Sequence, residues 1–468
     1  MKTQLLLPLL LSASLPGQKA IQDFHRAATK IVAEAEKLGA RTGVLVAYVR
    51  DQKVLLEHRS KESFIPASNM KLFTGAFMLE KLGQDYRFRT RVLLHGKGES
   101  QVLRLESGGN PLLLHSTDSG QGLFGDLPAR LVKAGIEEIP IYLDGRGWTG
   151  PSRPKAWKRS EFHRSYAPPT GPFILDQAVL TVYIQPADRV GLPCRVWLEP
   201  KGLTLPRRGK ILTTDSKKKG RVYGASVDSR GLYLSGAYYV HSPARHFRIA
   251  SQDPLRVYRS VLAHELNGAG IKVSAWTKEP PAGQGRHLFD LDRPMKPALE
   301  LMLRDSSNFM AEQCSRVVAF ALTGEGSLQK AQELLQARFA SLAPRKDAWR
   351  VADASGLARE NLTSPYQIEA LLRQVYGSKN RKIFMQSLAR SGVSGTMKNR
   401  LKTDLRGAVL AKTGTIHGVS SLSGYVRCKS GRVAIFSILM NYGGKRGLSA
   451  RTLRKIQDRL VTQIGLRN

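Results

Sequence analysis

A serine hydroxyl becomes a useful nucleophile only when a neighbouring base removes its proton, and few sequence patterns supply that base as simply as a lysine three residues on. Ser68 and Lys71 stand in this relation within Phe64-Ile-Pro-Ala-Ser-Asn-Met-Lys71. Residues three apart share one face of a helix, so the amine can reach the hydroxyl. Lysine titrates near about 10.4 when unperturbed, which makes it a poor base at neutral pH, so its pKa must fall. A helix N-terminus, burial and a second nearby cation would each destabilise the ammonium form.

The spacing alone carries little weight, since about two such pairs arise by chance in a chain of this length and ordinary composition. Ser152/Lys155, Ser216/Lys219 and Ser327/Lys330 share it. The first encloses a proline and the second sits in a basic run. None of them opens an apolar helix like the Met70, Phe73, Phe77 stripe that follows Ser68. Two further elements complete an ordered set: Asp305-Ser306-Ser307-Asn308 before a helical run, and Ala411-Lys412-Thr413-Gly414-Thr415 after the strand-like Val409-Leu410. Ser378-Lys379-Asn380 imitates Ser306-Ser307-Asn308 but lacks the preceding acid and the following Ala-Glu.

Each element has a physical task. Ser306 can relay a proton to a departing amine, Asn308 can bond a peptide carbonyl while positioning Lys71, and Lys412 supplies positive charge. The strand Thr413-Gly414-Thr415 is expected to bind substrate, with the two threonines holding its carboxylate. Backbone N–H groups of Ser68 and Thr415 would form an oxyanion hole.

These groups need a scaffold that joins distant segments. Ile21, Phe24, Ala28, Ile31, Val32 and Ala35 predict a helix over about 20–38, followed by a hairpin turning at Asp51-Gln52-Lys53. Gly418 to Val426 and Val433 to Leu439 read as strands, Gly443-Gly444 as a break, and Leu453, Ile456, Leu460 and Ile464 as a last amphipathic helix. The two chain ends are therefore expected to share one antiparallel sheet with helices on its faces. Between about 90 and 285 the texture changes to short strands rich in Gly and Pro, among them Ala178 to Gln185. Lys217-Lys218-Lys219 reads as a solvated loop tip.

With 468 residues the chain exceeds the size of a single core, so two or three modules are expected. Its 42% hydrophobic content excludes a disordered chain or a multi-span membrane protein. Leu5 to Leu11 is too short to span a bilayer. It reads as a secretory signal over 1–20, the alternative being a leading strand or disordered start. Lysines and arginines number 73 against 37 acids, a formal charge of +36. That field favours anionic envelope polymers or a membrane surface, or simply a solvated surface with no such partner; no pattern for specific nucleic-acid binding is present. Cys194, Cys314 and Cys428 show no metal-site spacing and read as packing residues. No cofactor and no metal are expected.

The ordered motifs resemble those of class C low-molecular-mass penicillin-binding proteins, the D-alanyl-D-alanine carboxypeptidase/endopeptidase family. Further similarity lies in Ser107-Gly-Gly-Asn-Pro-Leu112, Asp353-Ala-Ser-Gly-Leu-Ala-Arg-Glu-Asn-Leu-Thr-Ser-Pro365, Ser394-Gly-Thr-Met-Lys-Asn-Arg-Leu401 and Ser420-Ser-Leu-Ser-Gly-Tyr425. The resemblance implies an α+β, penicillin-binding-protein/β-lactamase-like transpeptidase domain over 21–90 and 286–468, with a large, mostly β insertion in the long interval between Ser68 and Ser306. That insertion is expected to form domain II, 91–165 and 240–285, interrupted by a β-rich domain III, 166–239. Asp144 resembles the inserted aspartate that can meet the amino end of a diamino-acid side chain, although Arg146 replaces the usual serine two residues on. Asp176-Gln177 stands where the family tends to carry asparagines.

The implied activity is a serine D-Ala-D-Ala carboxypeptidase and/or D,D-endopeptidase. It would cut peptidoglycan pentapeptide or cross-linked stem peptides through a Ser68 acyl-enzyme, in the periplasm or extracellular envelope, and would bind β-lactam antibiotics covalently. The alternatives are a β-lactamase, for which no deacylating glutamate stands in a comparable context, and an inactive envelope protein that binds polyanions. A Gly-x-Ser-x-Gly elbow is absent, which sets aside the α/β-hydrolases.

Overall fold

The computed structural model describes residues 16–115, 122–203, 205–228, 230–443 and 448–467. The expected export segment therefore lies outside the described residues as far as 15, and Gly444 of the expected Gly-Gly break also lies outside them. Helix α1 (Pro16–Lys37) starts earlier than its apolar stripe and runs into strands β1 (Ala40–Tyr48) and β2 (Val54–His58). Among the described residues no helix is long and apolar enough to cross a membrane.

One antiparallel sheet joins the chain ends. Its order is β15 (Ala389–Arg390), β16 (Val409–Ile416), β17 (Val419–Arg427), β18 (Val433–Tyr442), β1 and β2. The closing pair runs in register from Ala40↔Tyr442 to Tyr48↔Ala434. On one face α1 packs with α10 (Ala450–Arg467); Phe24, Ile31, Leu453, Ile456 and Leu460 bury their side chains there. On the other, α2 (Met70–Leu82), α5 (Met295–Leu303), α6 (Asn308–Thr323), α7 (Leu328–Phe339), α8 (Pro365–Gly377) and α9 (Arg381–Gln386) surround a core containing Phe73, Phe77, Phe309 and Phe339. Both faces being covered, the inner strands read as continuous apolar runs, as in β18.

The insertion holds three further sheets. A five-stranded one runs β13 (Lys272–Thr277), β5 (Glu138–Asp144), β4 (Val102–Ser107), β3 (Arg87–His95), β14 (Arg286–Pro294). It reaches Arg87 and Pro294, past the expected boundaries at 90 and 286, because β3 and β14 pair along that whole length. Helices α3 (Leu127–Lys133) and α4 (Pro254–Gly268) add to it, so the insertion is less purely β than its texture indicated. A three-stranded sheet runs β12 (Arg245–Ala250), β6 (Val179–Gln185), β7 (Arg195–Glu199). Strand β12 pairs with β6, so 245–250 joins the sheet of 179–185, whereas the resemblance placed 240–285 in domain II. The last sheet holds β10 (Tyr223–Asp228), β11 (Gly231–Tyr239), β8 (Arg207–Gly209) and β9 (Leu212–Thr214). One apolar cluster, from Val92 and Ile141 through Val182 to Leu232 and Leu262, runs through all three.

The three cysteines are buried free thiols, and burial pushes the Cys428 thiol up to about 11. Two of the alternative Ser-x-x-Lys pairs are local turns: Ser327 caps α7 by accepting from the Lys330 amide, and Ser216 accepts from the Lys219 amide.

Candidate active site

Ser68 lies in a single 3-10 turn, Ala67–Asn69, that leads directly into α2. The turn begins with strain, since Ala67 holds φ +47 although it is not a glycine. Two glycines make room for it. A Cβ on Gly356 would fall 1.8 Å from the Ala67 carbonyl oxygen, and one on Gly414 would fall 3.0 Å from the Ser68 nitrogen. Strand β16 therefore lies close against the start of the serine turn, and Ser421 on the adjacent strand ties down the turn by donating to the Pro66 carbonyl at 2.6 Å.

Lys71 is completely buried. Its Nζ donates to Ser68 Oγ at 3.0 Å, Asn308 Oδ1 at 2.7 Å and the Ser355 carbonyl at 2.6 Å. Burial pulls its pKa down to about 8, against the opposing attraction of Asp353 and Glu312. The three contacts use all three ammonium protons; on losing one, the amine presents a lone pair where the Ser68 contact lies.

The second motif divides its labour by position. Ser307 is the N-cap of α6, accepting from the Met310 amide, while Ser306 and Asn308 on either side take part in the cluster. Ser306 holds φ +66, a second strained non-glycine in the cluster. Its Oγ accepts from Lys412 Nζ at 2.8 Å, and Asn308 Nδ2 donates to the Tyr166 carbonyl at 2.8 Å. Lys412 is buried and also donates to the Thr413 carbonyl. Burial first, and the charge of Lys71 second, hold its pKa well below that of an ordinary lysine. Thr413 and Thr415 lie on β16, and Thr413 Oγ1 bonds Thr396 Oγ1 at 2.8 Å.

The structure thus brings Ser68, Lys71, Ser306, Asn308, Lys412, Thr413, Gly414 and Thr415 together through these contacts and along β16. Asp144 stands apart, at the end of β5. Its carboxylate is buried and engaged by two guanidinium groups: Arg104 at 2.6 Å, and Arg146 at 2.8 Å with the Arg146 amide at 3.1 Å. The residue that departs from the family pattern, Arg146, occupies the aspartate that an incoming ammonium would need.

Several supporting groups were given no role from sequence. Glu312, one turn after Asn308, accepts from the amides of Ser355 and Ala354, and burial raises its pKa to about 8. Asp353 gathers the amides of Gly356 and Ala358, the Asn361 side chain and the Trp157 indole. Together these carboxyls fix the loop whose Ser355 carbonyl meets Lys71. Preceding acid and following Ala-Glu were the available signals for Glu312. Asp176 and Gln177 open a left-handed turn; Asp176 pairs with His115 at 2.6 Å and Gln177 accepts from Ser307 Oγ at 2.6 Å, joining the insertion to the second motif.

A buried lysine on a serine hydroxyl, a second lysine-serine pair opposite and a flanked antiparallel sheet define the class as active-site-serine proteins of penicillin-binding-protein and β-lactamase-like fold. The chain belongs to the D-Ala-D-Ala carboxypeptidase 3 (S13) family, whose model matches residues 25–464. It is 26% identical over 450 residues to a D-alanyl-D-alanine carboxypeptidase of Actinomadura sp. (strain R39), covering 91% of this chain and 81% of that one. Its fold is similar to that of penicillin binding protein 4 from Haemophilus influenzae, with TM-score 0.77, 20% identity and coverage of 96% and 98%. A second structure of the Haemophilus protein, complexed with a β-lactam, superposes with TM-score 0.74, 20% identity and coverage of 95% and 99%.

Proposed function

We propose that this chain is an exported serine D-Ala-D-Ala carboxypeptidase and/or D,D-endopeptidase acting on peptidoglycan stem peptides. One observation carries the reading: a fully buried Lys71 amine, its pKa drawn down to about 8, on the Ser68 hydroxyl. In its neutral form Lys71 takes the Ser68 proton as Oγ attacks the carbonyl of the penultimate D-Ala. The Ser68 and Thr415 amides stabilise the oxyanion. Ser306, bonded to Lys412, passes a proton to the departing amine, and Thr413 and Thr415 hold the terminal carboxylate. Water then hydrolyses the acyl-enzyme. β-Lactams acylate Ser68 through the same steps. Free D-Ala as the leaving group makes the activity a carboxypeptidase; a cross-linking diamino-acid side chain makes it an endopeptidase. Asp144, held by two arginines, anchors its loop in this reading and does not receive an ammonium.

Fluorescent penicillin should label the wild-type chain and fail to label Ser68→Ala or Lys71→Ala. Mass analysis of digested cross-linked peptidoglycan then separates loss of one D-Ala per stem from cleavage of dimers. A folded wild type that neither labels nor digests would refute the reading.

A further inference from the structure

The register of the three-stranded sheet in the insertion sets two rows of side chains side by side on its outer face. His246, Tyr183 and Trp197 are direct cross-strand neighbours, and so are Arg248, Thr181 and Glu199 one step along. The rings of Tyr183 and Trp197 lie parallel, 3° apart in plane with centroids at 5.1 Å, and His246 leans on the other side of Tyr183 at 5.5 Å. Trp197 is at the end of this column, on the edge strand, 41% exposed. Glu199 holds the Tyr183 hydroxyl at 2.7 Å, and Arg195 and Gln185 form the next polar pair. Exposed, ordered aromatic surface flanked by polar groups marks a binding site more often than a bare surface.

The row of Arg248, Thr181 and Glu199 leads toward Ser306 and Asn308. Thr181, Glu199 and Arg248 line a cleft of about 1030 Å³. Gln177, Val179 and Arg248 are shared between that cleft and the hollow lined by Ser306 and Asn308. From Val179 to Tyr183 is four strand residues, roughly 13 Å at ~3.3 Å each. A five-residue peptide extended from its attachment point reaches roughly 17 Å. A chain whose end lies at the shared residues Gln177 and Val179, beside Ser306 and Asn308, can therefore have its root at the aromatic row.

We infer that the His246–Tyr183–Trp197 row binds the amino-sugar backbone of the polymer whose stem peptide occupies the cleft, an inference that rests on the function proposed above. The free face of the Trp197 indole would meet the C–H face of a pyranose. Gln185 and Glu199 would bond its hydroxyl and acetamido groups, and Arg195 and Arg248 its lactyl carboxylates or the peptide carbonyls. The enzyme would then favour stems still attached to glycan over free peptides.

The test uses end-labelled glycan strands stripped of stem peptides by an amidase, titrated in fluorescence anisotropy with the full-length Ser68→Ala chain. Binding is expected. Adding Trp197→Ala should weaken it about tenfold or more, the scale of an aromatic hot spot, whereas Trp197→Phe should restore most of it, with melting curves confirming that each variant is folded. No binding, or binding indifferent to Trp197→Ala and removed by salt alone, would overturn the inference and mark the contact as the general attraction of a basic protein. Penicillin labelling of the wild type reports the parent reading separately, so the failure of either is distinguishable from that of the other.

Discussion

Replacing Gly414 by alanine tests how closely β16 must sit against the nucleophile. The added methyl would lie 2.1 Å from Ser421 Oγ, 2.9 Å from the Pro66 carbonyl oxygen and 3.0 Å from the Ser68 nitrogen. Ser421 can rotate away, but it then gives up its bond to the Pro66 carbonyl, which keeps only the Asn69 amide at 3.2 Å, a loss of about 0.5–1.5 kcal/mol. The other two contacts are backbone and can be relieved only by moving the strand back. Overpacking of this kind costs about 1–3 kcal/mol in stability. The retreat carries the Thr415 amide away from the Ser68 amide, and loss of one oxyanion donor lowers rates about 10²–10³-fold. The assay is the second-order rate of acylation by fluorescent penicillin, measured beside thermal unfolding. A folded Gly414→Ala protein acylated within about threefold of wild type would refute the proposed use of the Thr415 amide.

Four other outcomes follow from the geometry. Acylation should rise with pH, because only neutral Lys71 can accept the proton; with a pKa of about 8 the rate should grow about tenfold from pH 7 to pH 9, and a flat profile would contradict the assignment. Asp144→Ala removes the carboxylate that Arg104 and Arg146 share; Arg104 keeps Glu106 at 2.6 Å and Arg146 is 66% exposed, so the cost should be about 1–2 kcal/mol, read as a lower unfolding midpoint. Trp157→Phe removes the indole donor to Asp353 and should cost about 1–2 kcal/mol by denaturant titration, the nearby Ala358 amide remaining bonded. The penicilloyl adduct should persist after excess antibiotic is removed, and rapid multiple turnover measured by loss of the β-lactam chromophore would instead support a β-lactamase.

What was readable in the chain was local. The Ser68–Lys71 pair, the Asp305–Asn308 segment before a helical run, and the Lys412 strand each declare themselves within a few residues, and helical or alternating periodicity places them; the Ser307 cap emerges only from the structure. The antiparallel union of the chain ends followed from matching helix-hairpin parts. Less legible was anything that depends on distant backbone. Asp353, Glu312 and the Ser355 carbonyl support Lys71 from segments far apart in sequence, and a buried carboxyl that accepts amides looks like any other acid in a string of letters. Strand register is equally silent: nothing in Tyr183, Trp197 and His246 read singly sets them in one row. The edges of the insertion moved because pairing of β3 with β14 continues past the change in composition. Asp144 shows the opposite limit, a motif match whose chemistry is altered by Arg146, two residues away.

The most direct test of the central claim is intact-protein mass spectrometry after exposure to penicillin, followed by proteolysis and location of the adduct. A single penicilloyl group on the peptide containing Ser68, absent from Lys71→Ala, is the predicted result. An adduct on the Ser306 peptide, or none on a folded chain, would contradict it.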